Sequence, residues 1–137
     1  MQTFAPEKTP VAAANGRILR QTVRAERDQP PFDRVMMDGF ALSFAEIEKG
    51  VRRFPIQAMQ AAGEEALALQ SGECIEIMTG ASLPRNSDCI VPVERIFVED
   101  GLAVIDEDYP AESGRFIHAR ASDHAIGAEL LTPGKRI

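Results

Sequence analysis

Residues 96–105 read IFVEDGLAVI, and this stretch indicates the fold class more clearly than any other part of the chain. Two β-prone apolar runs flank the dipeptide Asp100-Gly101. Such a dipeptide is typical of a two-residue hairpin turn, because glycine adopts positive φ without a Cβ clash. The stretch therefore predicts an antiparallel β-hairpin.

Three further segments predict short strands. Residues 74–78 alternate apolar and polar side chains, which indicates a half-buried strand. Residues 89–93 are apolar but include Pro92, and since proline cannot donate to a strand ladder, we expect an edge strand or a bulge there. Residues 128–131 predict a strand that ends in the turn at residues 132–135. The chain is thus expected to be rich in strands.

One segment predicts a short helix of about two turns. Ser43 can cap it, Glu46 lies three positions later as in a capping box, and Gly50 can end it. Residues 58–69 are ambiguous, because their Ala, Glu, Gln, Leu and Met residues favour a helix, whereas Gly63 and the surrounding β pattern favour strand and loop. For this stretch we predict strand and loop.

The length suits one domain, or one and a half small ones, and the composition is typical of a soluble protein. The chain has 137 residues, 45% of them hydrophobic, and no Trp, so the core must be mainly aliphatic. Its formal net charge of -6 repels phosphate backbones, which argues against nucleic-acid binding. The start of the chain lacks the pattern of a signal peptide, and no apolar run approaches membrane length. We therefore expect a cytoplasmic protein with no membrane partner.

The two cysteines and two histidines do not form a recognised metal-binding motif. Cys74 and Cys89 lie in apolar runs and make no CxxC pair, so we interpret them as reduced core thiols. His118 and His124 are six positions apart, a spacing that matches no zinc motif. The sequence therefore predicts no zinc site.

The first candidate site is Asp38, which follows an apolar run and precedes Gly39. A carboxylate at the end of a strand, next to a flexible backbone, can bind Mg²⁺ or orient a substrate hydroxyl or amine. The alternative is a plain Asp-Gly turn.

The second candidate site is the turn at Thr79, Gly80 and Ala81, where a strand is expected to end. A hydroxyl and several backbone N–H groups in one turn can cradle an oxyanion such as phosphate or molybdate. The alternative is an ordinary turn between a strand and a loop.

The third candidate site lies between residues 114 and 123. Arg115 and Arg120 can attract an anion, and Asp123 can hold a metal or fix Arg120. The alternative is a solvated loop with a surface ion pair that contributes little stability.

Six segments, in order along nearly the whole chain, resemble the amino-terminal region of the molybdopterin molybdenumtransferases, the family of MoeA and the gephyrin E domain. Each segment alone is moderately specific, whereas six in the right order and spacing are highly specific. The segments are residues 15–19 (NGRIL), 28–33 (DQPPFD), 37–41 (MDGFA), 75–84 (IEIMTGASLP), 88–94 (DCIVPVE) and 114–127 (GRFIHARASDHAIG).

The resemblance implies a mainly β fold of mixed, curled sheets with one or two short helices. In this fold, residues 1–34 form an extended segment that leads into a β-rich body at residues 35–137. The implied reaction inserts molybdate into adenylylated molybdopterin, releases AMP and is assisted by Mg²⁺. The partners implied are therefore molybdate and adenylylated molybdopterin, together with a second copy of the chain in a homodimer.

By the same resemblance, three positions are catalytic and four bind substrate. The catalytic positions are Asp38, Thr79 and Asp123, and the substrate-binding positions are Gly39, Gly80, Ala81 and Arg120.

The sequence also departs from the family pattern. Val35-Met36 stand where the family has Ser-Ala, Ala121-Ser122 replace Gly-Glu, and His124 replaces Ile. The α/β domain that follows in the family is not part of these residues. Because positioning and charge stabilisation need both walls of a site, we expect no catalysis from this piece alone. The alternatives are a non-catalytic ligand-binding or interaction module of the same fold and a purely structural domain.

Overall fold

The computed structural model describes residues 5–137, so the first four residues of the predicted lead-in lie outside the described part. The chain is mainly β, as predicted, with one short helix, α1 (Phe44–Glu48), and two 3₁₀ turns, Val11–Ala13 and Val93–Arg95. The strands are β1 (Val23–Arg24), β2 (Arg34–Val35), β3 (Gly39–Leu42), β4 (Arg53–Gln60), β5 (Cys74–Ile77), β6 (Cys89–Pro92), β7 (Ile96–Glu99), β8 (Leu102–Ile105), β9 (Ile117–His118) and β10 (Glu129–Leu131).

Six strands form the main sheet, in the order β6-β3-β5-β4-β8-β7. All neighbours are antiparallel except β4 and β5, which are parallel. Side chains of β3 alternate between two buried clusters, with Phe40 and Leu42 in the larger one and Ala41 in the smaller one. Because both faces of the central strands are covered, β3 is apolar at every position and wholly buried.

The hairpin predicted at residues 96–105 is confirmed as β7 and β8. Asp100 and Gly101 have φ of 49° and 76°, the positive values that a two-residue hairpin turn of this kind requires. The edge position predicted for the segment with Pro92 is also confirmed, because β6 ends one side of the sheet. The strand β5 is more buried than predicted: three of its four residues are inaccessible, since β5 lies between β3 and β4 in the sheet interior.

Residues 58–69 adopt strand and loop, as predicted, and two glutamines of β4 explain why a helix does not form. Gln60 is fully buried, and its amide accepts a hydrogen bond from Leu67 N–H and donates one to the Ser82 carbonyl. Gln57 likewise donates to Ala68 O and accepts from Gln70 N–H. These side chains satisfy backbone groups of the loop, which removes the need for helical hydrogen bonds.

The helix α1 forms after Ser43 as predicted, but the predicted capping box is wrong. The Ser43 side chain makes no capping hydrogen bond. Instead, Asp88 Oδ1 accepts a hydrogen bond from Phe44 N–H at 2.7 Å. The helix is therefore capped by a residue distant in sequence, which also accepts a hydrogen bond from the Ser113 hydroxyl.

The two ends of the chain run antiparallel to each other and form a ribbon beside the sheet. Residues 16–35 pair with residues 117–137 through β1 with β10, β2 with β9, and hydrogen bonds between them. Residues 16–34 of the predicted lead-in are thus held by the last part of the chain. Two chain segments, around residues 36 and 116, connect this ribbon to the sheet.

Both cysteines are free and buried, as predicted. Burial raises the pKa of the Cys74 thiol to about 12 and that of Cys89 to about 11, so neither is a reactive thiolate at neutral pH. Within residues 5–137, no helix combines the length and apolar character needed to cross a membrane.

Candidate functional site

Asp38 and Thr79 lie together where β3 begins and β5 ends. The antiparallel register pairs Gly39 with Ile77, so the residue before β3 faces the turn after β5. Asp38 Oδ1 accepts two hydrogen bonds from Thr79, one from the backbone N–H at 2.7 Å and one from the hydroxyl at 2.6 Å. The structure therefore brings two of the three predicted catalytic residues into direct contact.

These two hydrogen bonds stabilise the negative charge of the Asp38 carboxylate. The Thr79 hydroxyl first, and then the Thr79 backbone N–H, lower the pKa of Asp38 below its ordinary value of 3.8, because both donors stabilise the ionised form. The carboxylate is exposed to solvent. At neutral pH the pair presents an oriented negative group at the surface.

Gly39 is not part of a turn, so the plain Asp-Gly turn considered as an alternative is wrong. It is the first residue of β3 and is buried. A Cβ atom at this position would lie 2.2 Å from the carbonyl oxygen of Val91 in β6. Glycine is therefore required because two backbones approach closely, and no substrate contact is needed to explain it.

The turn at residues 79–81 does not form the predicted oxyanion cradle. Each of its backbone N–H groups already donates within the protein: Thr79 to Asp38, Gly80 to Val35 O, and Ala81 to Met78 O. Ala81 is also fully buried. What the site exposes is the carboxylate and the lone pairs of the Thr79 hydroxyl, a set of acceptors suited to a cation or to N–H and O–H donors.

Arg120 lies in a separate cluster on the ribbon. Its Nε and Nη2 atoms are both 2.7 Å from Asp28 Oδ2, and its backbone N–H donates to Asp33. The Ile126 N–H and then Arg120 lower the pKa of Asp28, because both hydrogen bonds stabilise its carboxylate. The partner that fixes Arg120 is therefore Asp28 and not Asp123, for which the sequence had left two roles open, holding a metal or fixing Arg120.

Asp123 pairs with a histidine in the same part of the ribbon. His118 Nε2 is 2.9 Å from Asp123 Oδ1, and His118 Nδ1 is 3.1 Å from a guanidinium nitrogen of Arg34. Among residues 5–137, no hydrogen bond or ion pair joins Asp123 or Arg120 to Asp38 or Thr79. The structure thus gives two clusters where the sequence predicted three sites.

The strand β2 connects the two clusters. On one side, Val35 N–H donates to Ala81 O and Val35 O accepts from Gly80 N–H. On the other side, Val35 pairs with Ile117 and Arg34 with His118. The carboxylate–hydroxyl pair and the Asp123 cluster therefore flank one short strand, which fixes their relative position.

Sequence reasoning gave no role to Arg34 or Asp28, although Asp28 begins the family-like segment at residues 28–33. Their roles depend on the pairing of residues 28–35 with residues 117–126, which no local pattern reveals. Alternation of charge along the two segments was the available signal, but it is also typical of a solvated surface.

Metal ligands are sparse in the described chain. Within residues 5–137, no group of three or more His, Cys, Asp and Glu side chains is placed to hold a metal ion. Asp38 fits Mg²⁺ as one carboxylate ligand, since this ion commonly takes one or two carboxylates and completes its shell with phosphate oxygens and water.

Charge is distributed unevenly between the sheet and the ribbon. Residues 36–116 contain 15 Asp and Glu but 6 Lys and Arg, whereas the other residues contain 6 Asp and Glu but 9 Lys and Arg. The sheet is therefore acidic and the chain ends are basic. This polarity favours anions at the ribbon and cations near Asp38.

The fold and the site together define the class of protein. It is a mainly β region whose site is open and rich in hydrogen-bond acceptors rather than an enclosed pocket. Comparisons with known proteins identify the family. Residues 1–137 match the family model described as MoeA N-terminal region (domain I and II). The chain belongs to this family.

Relatives with curated names agree. A molybdopterin molybdenumtransferase of Synechocystis sp. is 40% identical over 129 residues, which cover 93% of this chain and 33% of the relative. One of Synechococcus elongatus is 32% identical over 140 residues, covering 98% of this chain and 34% of the relative. The chain spans about a third of the length of these relatives.

Solved structures agree as well. The crystal structure of a molybdopterin biosynthesis MoeA protein from Pyrococcus horikoshii matches with a TM-score of 0.81 and 31% identity, over 96% of this chain and 34% of that chain. The crystal structure of a molybdopterin biosynthesis MoeA protein from Pyrococcus horikoshii OT3 matches with a TM-score of 0.79 and 28% identity, over 93% of this chain and 34% of that chain. The curled, mainly β fold predicted from the sequence is thereby confirmed.

Proposed function

We propose that the chain contributes one wall of an active site that inserts molybdate into adenylylated molybdopterin. The observation that carries this proposal is the double hydrogen bond from Thr79, which holds the Asp38 carboxylate ionised and oriented at an exposed strand end. Preorganised charge of this kind is what catalysis requires, but it acts fully only when water is excluded. The opposite wall must come from another part of a longer protein or from a partner.

In this proposal, Asp38 accepts hydrogen bonds from amine or hydroxyl groups of the adenylylated pterin, or ligates Mg²⁺ together with phosphate oxygens. Thr79 keeps the carboxylate in place, and Gly39 allows β3 to approach β6. Asp123 acts from the ribbon side of β2, where the basic residues attract molybdate and phosphate. The chain alone is inactive, works in the cytoplasm, and forms a homodimer in the complete enzyme.

Calorimetric titration of the chain with Mg²⁺, molybdate and adenylylated molybdopterin tests this assignment. We expect the pterin to bind in the presence of Mg²⁺, and Asp38→Asn to weaken binding by about tenfold, which corresponds to the loss of one charge-assisted hydrogen bond. Glu64→Gln serves as the matched control, because Glu64 is an exposed carboxylate in the loop after β4 that also accepts a backbone hydrogen bond, from Ala61 N–H. Equal affinities of Asp38→Asn and the unchanged chain for the pterin would show that Asp38 is not part of the binding site.

A non-catalytic ligand-binding or interaction module is the second candidate. It is favoured by the turn at residues 79–81, whose N–H groups are all used within the protein, and by Arg120, whose guanidinium is held by Asp28. This candidate predicts pterin binding without turnover even when the missing wall is provided. The measurement that separates it from the first candidate is turnover in a complete enzyme.

A further inference from the structure

Arg34, His118 and Asp123 form a continuous chain of hydrogen bonds across β2 and β9. Arg34 and His118 are directly opposite each other in the antiparallel register. The Arg34 guanidinium is 3.1 Å from His118 Nδ1, and His118 Nε2 is 2.9 Å from Asp123 Oδ1. The His118 side chain is three-quarters buried, which limits competition from water.

The chemistry of the three groups determines where the imidazole proton lies. A guanidinium can only donate, so Nδ1 of His118 must accept. The ring proton then lies on Nε2, where it donates to the carboxylate of Asp123. We propose that Arg34 selects the neutral Nε2–H tautomer of His118, and that His118 is thereby the positioning residue for Asp123.

The charged groups near Arg34 leave its hydrogen bond to His118 as its main interaction. Within the described residues, no carboxylate lies within ion-pair distance of Arg34. Asp33 accepts from the Arg120 backbone, and Asp28 is paired with the Arg120 side chain. His124 is held through its backbone by Gln29, and the turn at residues 79–82 carries no titratable side chain.

Protonation of His118 would break the hydrogen bond between Arg34 and His118 Nδ1. An Nδ1–H group would face the Arg34 guanidinium, which has no acceptor, and two positive charges would be adjacent. The hydrogen bond from His118 Nε2 to Asp123 would remain.

The consequence for ligand binding rests on the proposed function, because it requires Asp123 to act in the site. His118→Phe removes the donor to Asp123 and keeps an aromatic ring, whereas His118→Gln keeps an N–H donor of similar reach. We expect affinity for adenylylated molybdopterin to fall about fivefold in the first variant and to be largely retained in the second, since His118 acts on the ligand only through its hydrogen bond to Asp123. If the unchanged chain does not bind the pterin, the proposed function fails, but the tautomer assignment is still open to direct measurement.

That direct measurement is long-range ¹H–¹⁵N NMR of the imidazole nitrogens at neutral pH. The chain has two histidines, so His124→Gln assigns the signals of His118. We expect a protonated Nε2 and an unprotonated Nδ1 for His118, and tautomer averaging in Arg34→Met, with the backbone amide spectrum showing that this variant is folded. An Nδ1–H tautomer, or signals that do not change in Arg34→Met, would overturn the proposal.

Discussion

At the scale of single residues, two positions carry most of the argument for different physical reasons. Gly39 is required by packing, since the β6 backbone occupies the space of a side chain. Asp38, the residue before it, is exposed and oriented by Thr79. Adjacent residues of one motif thus serve the fold and the site separately, and substitutions should separate the two roles.

Gly39→Ala should destabilise the sheet. A Cβ atom 2.2 Å from Val91 O forces β3 and β6 apart, so we expect a loss of about 3 kcal/mol in the free energy of unfolding, measured by urea denaturation. Gly63→Ala is the control, because Gly63 has positive φ but open space around it, and should cost about 1 kcal/mol. Equal effects of the two changes would contradict the packing role.

Thr79→Val should raise the pKa of Asp38 toward 3.8, because the largest stabilising hydrogen bond is removed while the side-chain shape is kept. The pKa of Asp38 is lower in the folded protein than in the unfolded chain. The ionised Asp38 therefore contributes fully to folding stability above its unfolded-state pKa, and this contribution is lost as the pH falls through the lower folded-state pKa. A pH titration of the Asp38 carboxyl carbon by NMR measures the change. An unchanged titration would show that the hydroxyl does not hold the carboxylate, and Thr22→Val in the ribbon provides the control.

At the scale of elements, local signals predicted what is local. The Asp100-Gly101 turn, the edge strand with Pro92 and the start of α1 after Ser43 all follow from neighbouring residues. The cap of α1 by Asp88 and the pairing of Arg34 with His118 do not, because each partner lies far away in sequence. For the same reason, the sequence could identify Asp38 and Thr79 as candidates but could not show that they touch.

Asp88→Ala should destabilise the protein through the helix terminus. The Phe44 N–H loses its acceptor, which we expect to cost about 1–2 kcal/mol in the free energy of unfolding. Ser43→Ala removes a side chain that makes no capping hydrogen bond and should change this free energy by less than about 0.5 kcal/mol. Urea denaturation of both variants measures the difference. A larger loss in Ser43→Ala than in Asp88→Ala would support the capping box predicted from the sequence.

At the scale of the whole molecule, an acidic sheet is joined to a basic ribbon through β2. The candidate residues lie on both sides of this strand, and none of them lines either of two surface clefts of the described residues, one bordered by residues 43, 46, 69–72 and 86 and the other by residues between 5 and 23 together with Ile137. An open surface of this kind cannot exclude water. The geometry therefore agrees with a chain that spans about a third of its relatives and provides part of a site.

The most direct test replaces the matching third of the Synechocystis relative with this chain and measures molybdate insertion into adenylylated molybdopterin. We predict that the folded chimera is active and that Asp38→Asn in it lowers turnover by at least about a hundredfold, comparable to removing one preorganised electrostatic group. Glu64→Gln should leave turnover unchanged. A folded, pterin-binding chimera without turnover, or one in which Asp38→Asn is fully active, would contradict the assignment of this chain as one wall of the active site.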